Sequence, residues 1–171
     1  MTGQLTHKES SHSQRVFPIV LVCDGLKTPS NIGALFRVCD ALGIPEIIFC
    51  NTEINFNSPR LKKTARNTQV YVSYSEKKHT LSAINKLKDN DFKIIALEIT
   101  NSSESIENLS FLSDQKIALV IGNEQKGVSD SILTNSDQCA HVDMYGKNSS
   151  MNVVQATSIA LYTLINKFYI S

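Results

Sequence analysis

Three short polar segments carry the side chains best suited to chemistry, and the first is NIGALFR at residues 31–37. Gly33 and Arg37 are four residues apart, so a helix would place both on one face. The glycine would leave space beside the guanidinium, whose planar fork of N–H donors can bind a phosphate. The alternative is a surface arginine on an amphipathic helix, with Gly33 at a close contact with another helix. This segment predicts either an anion-binding arginine or a purely structural contact.

The second segment is IALVIGNEQKGVS, in which an apolar run ends at Gly122 and a short polar loop leads through Glu124 to Gly127. Two glycines would let backbone groups approach a ligand closely. Their spacing is that of a phosphate-binding loop, but Val128 stands where such a loop requires lysine. No G-x-G-x-x-G follows a strand either, which disfavours a dinucleotide-dependent dehydrogenase. A plain strand-to-turn connection is the alternative reading.

The third segment is NSSMNVVQATSIALYTL, at residues 148–164. Its first five residues are small, polar or flexible, and they lead directly into an apolar helix. That helix is apolar on more than one row, which is typical of a helix buried on most sides. Ser149, Ser150 or Asn152 could cap it. Because a cap needs only one of them, capping alone does not explain residues 148–152 as a set.

The elements that must position these segments alternate between strands and helices. The sequence predicts strands at 17–25, 46–51, 70–74, 92–99, 116–122 and 139–144. It predicts helices between Ser30 or Asn31 and Gly43, from Ser58 onward, within 76–90 with Leu81, Ile84 and Leu87 facing inward, and at 152–169. This alternation predicts an α/β fold with one mostly parallel sheet flanked by helices. In such folds ligands bind at the carboxyl ends of the strands, where the polar segments lie.

Composition sets wider limits on the protein. The chain has 171 residues, 42% of them hydrophobic and 19% charged, which suits one domain with a sizeable core. No apolar run reaches the roughly 18 residues of a membrane span, and the N-terminus lacks a signal-peptide core. We therefore predict a cytoplasmic protein with a flexible tail at residues 1–15 and a single domain at 16–171. The net charge of +1 neither indicates nor excludes a nucleic-acid partner.

Cysteine and histidine usage gives no sign of a metal site. No C-x-x-C pair occurs, and His79 and His141 stand apart without ligand spacing. The cysteines are expected to be buried free thiols in a reducing compartment. They are Cys23, Cys39, Cys50 and Cys139.

In their order along the chain, the three segments resemble the signature motifs of the SpoU (TrmH-like) branch of the SPOUT superfamily. These are N-x-G-x-x-x-R, then a strand followed by G-N-E-x-x-G, then S-M-N before the last helix, and the resemblance covers about residues 17–169. Members of this family are RNA ribose 2′-O-methyltransferases that use S-adenosylmethionine. The resemblance implies a C-terminal deep trefoil knot and a homodimer that associates through the first and last helices. The usual S-L-N of the family is Ser150-Met151-Asn152 in this chain.

The resemblance also implies roles for individual residues. Arg37 would act on the target 2′-hydroxyl from the partner subunit, although the general base stays open because arginine is normally protonated. A clamp on phosphate and a stabiliser of the alkoxide is the alternative role for it. The remaining catalytic residues would be Asn31, Glu124, Ser150 and Asn152. The cofactor would be held, largely through backbone groups, by Leu97, Glu98, Gly122, Val142, Met144 and Met151.

A basic segment is the expected contact for the RNA. Arg60, Lys62, Lys63 and Arg66 cluster on the short helix that begins near Ser58, and Lys77 and Lys78 follow beyond the next strand. Such a cluster can meet phosphates. A solvated helix face is the alternative. Because the chain leaves no room for an appended RNA-binding domain, tRNA is favoured over rRNA as the substrate.

Two other functions are alternatives for a chain with these features. The first is a non-catalytic RNA-binding or assembly module that retains the fold, which the complete motif set argues against. The second is an α/β enzyme acting on a small nucleotide, which the missing phosphate-loop signatures argue against.

Overall fold

A computed structural model describes residues 14–112 and 114–170, and its centre is a sheet of seven strands in the order β3-β2-β1-β6-β4-β7-β5. Every pair of neighbouring strands is parallel. The α/β fold and the parallel sheet predicted from the sequence are thereby confirmed. The strands are β1 (Ile19–Asp24), β2 (Glu46–Cys50), β3 (Ser73–Lys77), β4 (Phe92–Leu97), β5 (Glu104–Ser105), β6 (Lys116–Ile121) and β7 (Gln138–His141).

Five helices connect the strands across the two faces of the sheet. Proline occupies the first turn of both α1 and α2, where its missing N–H has no partner to lose. A short 3₁₀ turn, Thr68–Val70, precedes β3. The helices are α1 (Pro29–Ala41), α2 (Pro59–Ala65), α3 (Thr80–Lys88), α4 (Asp130–Asn135) and α5 (Val153–Ile170).

The core has two layers because successive side chains of each strand point to opposite faces. In β1, Leu21 and Cys23 pack with α1 and α5, while Val20 and Val22 face α3 and α4. The first layer is the larger and includes the ring contact of Phe36 with Phe49. Three helices therefore cover one face of the sheet, and two short helices lie on the other.

The strand order places a crevice where the chain reverses its direction across the sheet. From β1 the chain proceeds outward to β2 and β3. The strands that follow in the sequence lie on the other side of β1, and β6 is the one adjacent to it. Cys23 pairs in register with Ile121, so Asp24 and Gly122 leave the sheet side by side. Such reversal points bind ligands in open α/β sheets.

Several local predictions differ from the structure. The cap of α1 is Thr28 rather than Ser30 or Asn31, because the helix begins at Pro29. α3 begins at Thr80 rather than at residue 76, because β3 extends to Lys77. β3 begins at Ser73 rather than at residue 70, because residues 68–70 form the 3₁₀ turn. The prediction that Leu81 faces inward is wrong: it is 37% exposed, while Ala83 and Ile84 are buried. β5 and α4 were not predicted, since elements of two and six residues are too short to show a hydrophobic period.

The structure also bears on the predictions for the cysteines, for membrane spans and for the N-terminal segment. Cys23, Cys39 and Cys50 are buried free thiols as expected, and burial raises the pKa of Cys50 to about 11. Cys139 is free but only half-buried. Among the described residues, no helix combines the length and apolarity required to cross a bilayer. Of the predicted tail, residues 1–13 lie outside the described residues.

Candidate functional site

A cavity of about 610 Å³ opens at the carboxyl ends of β4, β6 and β7. Its volume lies within the range of small-molecule sites. The three polar segments meet there, although more than a hundred residues separate the first from the last. Its lining includes Asn31, Gly122, Glu124, Ser150 and Asn152, together with Leu97, Glu98, Val142, Met144 and Met151.

Glu124 ties the second segment to the first. Its Oε1 accepts hydrogen bonds from the backbone N–H of Thr28 (2.8 Å) and from Nδ2 of Asn31 (3.1 Å). Its Oε2 accepts one from the N–H of Lys27 (3.3 Å). The carboxylate thus lies at the N-terminus of α1, where the helix dipole favours negative charge.

The same hydrogen bonds keep Glu124 ionised. Burial acts to raise the pKa of Glu124, but the hydrogen bonds from Thr28 and Asn31 outweigh it and hold that pKa below its usual value. A carboxylate that is ionised and already bonded is poorly placed to take a further proton. Its geometry is that of a group that orders the α1 entry.

Asn152 ties the third segment to the first. Its Oδ1 accepts the N–H of Val154 (2.9 Å), so it caps α5 as the sequence suggested. Its Nδ2 donates to Oδ1 of Asn31 (3.4 Å), a contact that capping does not require. Asn31 therefore links Glu124 to Asn152, and these three residues are called the Glu124 cluster below. Ser150 is exposed and lines the same cavity.

The loop between Gly122 and Val128 is closed by its own hydrogen bonds. The backbones of Asn123 and Gly127 exchange two of them, at 3.0 and 2.9 Å, and Oδ1 of Asn123 accepts two further N–H groups. A Cβ on Gly122 would collide with the backbone of Gly127. Gly127 has φ +68°, and a Cβ there would collide with Glu98. Both glycines are thus required by the chain itself, not by space for a ligand.

Glu98 belongs to the same construction. Its Oε2 accepts the N–H of Val128 (2.9 Å), and its Oε1 accepts that of Ile99 (3.0 Å). Its own N–H donates to the carbonyl of Ala140 on β7 (2.9 Å). The side chain therefore holds the loop in place, while the strand end it follows forms part of the cavity wall.

Arg37 is the one predicted catalytic residue that lies outside this cavity. It is exposed on α1, beside a shallow groove that Lys63, Thr64 and Arg66 also line. The interpretation that Gly33 leaves space for Arg37 is wrong, because a Cβ on Gly33 would collide with α2 at Thr64 and at the carbonyl of Leu61. The glycine is the close helix contact that the sequence left as the alternative.

The predicted RNA-binding residues all lie on the surface. Arg60, Lys62 and Lys63 are exposed on α2, and Arg66 follows the helix in the left-handed conformation at φ 49°. The N–H of Arg66 donates to the carbonyl of Lys62 (3.2 Å), which closes the helix end. Lys63 and Arg66 approach Arg37 from α2, so this groove carries three cationic side chains.

A second polar cluster lies beside the first, at the ends of β1 and β2. Asp24 is 6% exposed, and its Oδ1 accepts hydrogen bonds from Thr80 (2.6 Å) and Asn51 (2.9 Å). Its Oδ2 accepts the hydroxyl (2.7 Å) and N–H (3.2 Å) of Ser129. Burial acts to raise the pKa of Asp24, but these hydrogen bonds lower it below its ordinary value. These four residues are called the Asp24 cluster.

His141 is one of the cavity residues that the sequence does not single out. It stands at the end of β7, and its Nδ1 lies 2.9 Å from the hydroxyl of Ser103. Its Nε2 lies 3.5 Å from Asp143, which also accepts the hydroxyl of Ser105 (2.6 Å). The available signal was its place in the predicted strand at 139–144. Over residues 14–112 and 114–170, no group of three His, Cys, Asp or Glu side chains could hold a metal ion.

Comparison with known proteins gives one family. The model of the SpoU rRNA Methylase family matches residues 18–162. A Staphylococcus aureus protein named as a TrmH family tRNA/rRNA methyltransferase is 28% identical over 148 residues, which are 86% of this chain. The chain spans 58% of the length of that relative.

Two solved structures show the same fold. The TrmH/SpoU tRNA modifying enzyme of A. aeolicus has a TM-score of 0.79 and 25% identity, over 92% of this chain and 78% of its own. The SpoU methyltransferase AviRb of Streptomyces viridochromogenes, in complex with the cofactor AdoMet, has a TM-score of 0.79 and 19% identity. That similarity covers 97% of this chain and 62% of AviRb.

Proposed function

Since this chain belongs to the SpoU rRNA methylase family, we propose that it is an S-adenosylmethionine-dependent RNA methyltransferase that modifies a ribose 2′-hydroxyl. The observation that carries the proposal is the meeting of Asn31, Glu124 and Ser150–Asn152 in one cavity. We favour tRNA over rRNA as the substrate because the A. aeolicus structure is that of a tRNA modifying enzyme.

The cavity suits the proposed cofactor in its mixed lining. Leu97, Val142 and Met144 offer apolar contacts to an adenine ring, while Ser150 and Asn152 offer polar ones. The strand ends at Leu97–Glu98 and Gly122, the segment Val142–Met144 and Met151 would hold it, largely through backbone groups. When bound, S-adenosylmethionine supplies a methyl group on a positively charged sulfur.

The protein's own contribution is mainly to position groups. The Glu124 carboxylate fixes the N-terminus of α1. Asn31 hydrogen-bonds to both Glu124 and Asn152, so the position of Asn152 is fixed relative to α1. Aligning an attacking oxygen with a leaving group can account for several kcal/mol of a barrier, on the order of 7–11 in favourable cases. Ser150 and Asn152 would contact the reacting end of the cavity.

Arg37 would complete the site from the partner subunit of a homodimer. Its position outside the cavity of its own chain supports that assignment. The guanidinium would bind a phosphate next to the target ribose and stabilise the developing alkoxide. Lys63 and Arg66, which share the groove, would bind neighbouring phosphates together with Arg60 and Lys62.

Dimerisation, the knot and location in the cytoplasm are further parts of the proposal. The dimer would form through α1 and α5, and Tyr162 on α5 is 60% exposed, which leaves an apolar ring for a partner to cover. The C-terminal part of the sheet and α5 would form the trefoil knot expected of the family.

The test is incubation of the protein with methyl-labelled S-adenosylmethionine and separate tRNA and rRNA fractions from a strain that lacks the gene. We expect label in tRNA, recovered after digestion as a 2′-O-methyl nucleoside. A substrate with 2′-deoxyribose at the mapped position should accept none. Cofactor binding by calorimetry, with no label in any RNA, would instead favour the non-catalytic assembly module.

A further inference from the structure

A second cleft lies on the other face of the sheet, beside α3. It has a volume of about 440 Å³ and lies where α3 leaves part of β2 and β1 uncovered. Its apolar lining includes Ile48 and Val20, which are almost fully buried, and the half-buried ring of Phe92. It shares no lining residue with the cavity of the candidate site.

The rim of this cleft is strongly basic. Lys77, Lys78, Lys86 and Lys116 all line it and are exposed, and Glu46 is the single carboxylate among its lining residues. Lys116 is held in place, since its Nζ donates to the carbonyl of Asn90 (3.2 Å) and lies 5.6 Å from the centre of the Phe92 ring. The whole chain has a net charge of only +1, so this surface concentrates positive charge.

The three other lysines of the rim are not neutralised by the protein. In the part of the chain that the structure describes, no carboxylate lies within 4.0 Å of the Nζ of Lys77, Lys78 or Lys86. Lys88, two residues after Lys86 on α3, differs in this respect because its Nζ lies 2.9 Å from Asp137. The free cations thus face the cleft, and the paired one does not.

We propose that this cleft binds a stretch of the RNA substrate away from the target nucleotide, an inference that rests on the proposed function. Lys77, Lys78 and Lys86 would contact successive phosphates, and a base or ribose would lie in the cleft beside Phe92 and Lys116. Proteins that bind single-stranded nucleic acid combine a basic groove with an apolar or aromatic floor in this way. An acidic peptide would also satisfy the lysines, but the activity proposed for this chain already requires it to bind RNA.

The position of the cleft agrees with a path for the RNA. β3 forms one edge of the sheet, and α2, with its basic residues, lies on the opposite face near the same edge. The ring of Phe56, before α2, contacts Tyr74 of β3 at 4.8 Å between centroids. A strand of RNA that passes this edge would therefore meet basic side chains on both faces.

The experiment measures RNA affinity against salt concentration with the full chain and the tRNA fraction. The triple variant K77Q/K78Q/K86Q should bind about tenfold more weakly at low salt. Its slope of log K against log salt should be smaller by about 2, because each lost phosphate contact removes about 0.7. KM for RNA should rise, while kcat at saturating RNA and the Kd for S-adenosylmethionine should not change.

Two single variants control for the loss of charge as such. Lys86→Gln should weaken RNA binding, whereas Lys88→Gln removes an equal charge from the same helix and should leave it unchanged. Glu46→Gln removes the carboxylate of the rim and should tighten binding. Equal effects of Lys86→Gln and Lys88→Gln would overturn the inference, because they would indicate a response to net charge alone.

The remaining outcomes separate this inference from the proposed function. If the wild-type protein methylates RNA and the triple variant keeps its affinity and slope, the inference fails and the proposed function stands. If the protein binds RNA through these lysines without methylating it, the inference stands and the proposed function fails. If polyglutamate binds the cleft while the triple variant binds RNA as tightly as the wild type does, the partner is an acidic protein and the inference is wrong.

Discussion

The Asp24 cluster and the Glu124 cluster use the same chemistry at neighbouring strand ends, but one is closed and the other is open. Asp24 is buried, and donors from three other elements or loops surround its carboxylate. Glu124 is only partly buried, and its partner Asn31 connects it to Asn152 at the mouth of a cavity. A carboxylate that collects donors can therefore join elements of the fold or shape a site, depending on how deeply it is buried and on whether its partners line the candidate cavity.

The largest effect on methyl transfer is expected for Arg37, which would complete the site of the Glu124 cluster from the partner subunit. Arg37→Ala should reduce methyl transfer about 1,000-fold, because a donor aimed at developing charge is lost. The Kd for S-adenosylmethionine, measured by calorimetry, should change by less than about twofold. Arg37→Lys keeps the charge but not the planar fork, and should remain strongly impaired. An equal loss of cofactor affinity in Arg37→Ala would refute this separation of roles.

The next effect tests the closed cluster. Asp24→Ala should lower the free energy of unfolding by about 3 kcal/mol, since it removes the acceptor of the buried Thr80 hydroxyl and of the part-buried donors of Asn51 and Ser129. Urea denaturation measures this. Asp40, exposed on α1, is the matched control, and Asp40→Ala should change stability by less than about 0.5 kcal/mol. Similar stability losses in both variants would show that the Asp24 cluster does not join the elements as described.

Substitutions of Asn152 are expected to have a somewhat smaller effect on methyl transfer, and they separate its role as a helix cap from its contact with Asn31. Asn152→Ala should slow methyl transfer about 100-fold through misplacement of the site, and should cost about 1 kcal/mol of stability through the lost cap. Asn152→Ser retains a capping oxygen but loses the amide contact with Asn31. It should therefore be as slow as the alanine variant while nearly as stable as the wild type. Wild-type activity in Asn152→Ser would assign Asn152 to capping alone.

Ser150→Ala should likewise slow transfer far more than it lowers stability.

The smallest effect is the dependence of stability on pH. The folded-state pKa of Asp24 lies below its ordinary value of 3.8, so its contribution is complete above that value and declines as pH falls through the lower, folded pKa. The difference in unfolding free energy between the wild type and Asp24→Asn should accordingly be constant from about pH 5 to 7 and should narrow below about pH 4. A difference that widens in acid would contradict the hydrogen-bonding assigned to Asp24.

Much of the fold could be predicted because its signals are local. The buried runs in β1, β4 and β6 and the glycine that follows α1 are properties of single segments. The meeting of Asn31, Glu124 and Asn152 could be anticipated from the rule on strand ends together with the family resemblance. The start of β3 could not, because a 3₁₀ turn and a strand both accept the residues of TQVYV.

What could not be predicted depends on contacts between distant segments. Gly33 was expected beside Arg37, but the reason for it is the approach of α2, about thirty residues further along the chain. The sequence assigns Asp24 no role beyond its place in the predicted strand at 17–25, because its donors at Asn51, Thr80 and Ser129 come from three separate places. The hydrophobic periodicity of a segment does not show which faces of two elements pack together. The sequence indicated Lys77 and Lys78 as possible phosphate contacts, but it could not show that they border a cleft together with Lys86 and Phe92.

The self-bonded loop between Gly122 and Val128 has a consequence for binding kinetics. Its backbone conformation is set by Asn123, Gly127 and Glu98 before any ligand arrives. A ligand that uses this wall therefore immobilises few additional torsions, and little of its interaction energy is lost to ordering the loop. Association would then be limited by the width of the cavity mouth rather than by rearrangement of its floor.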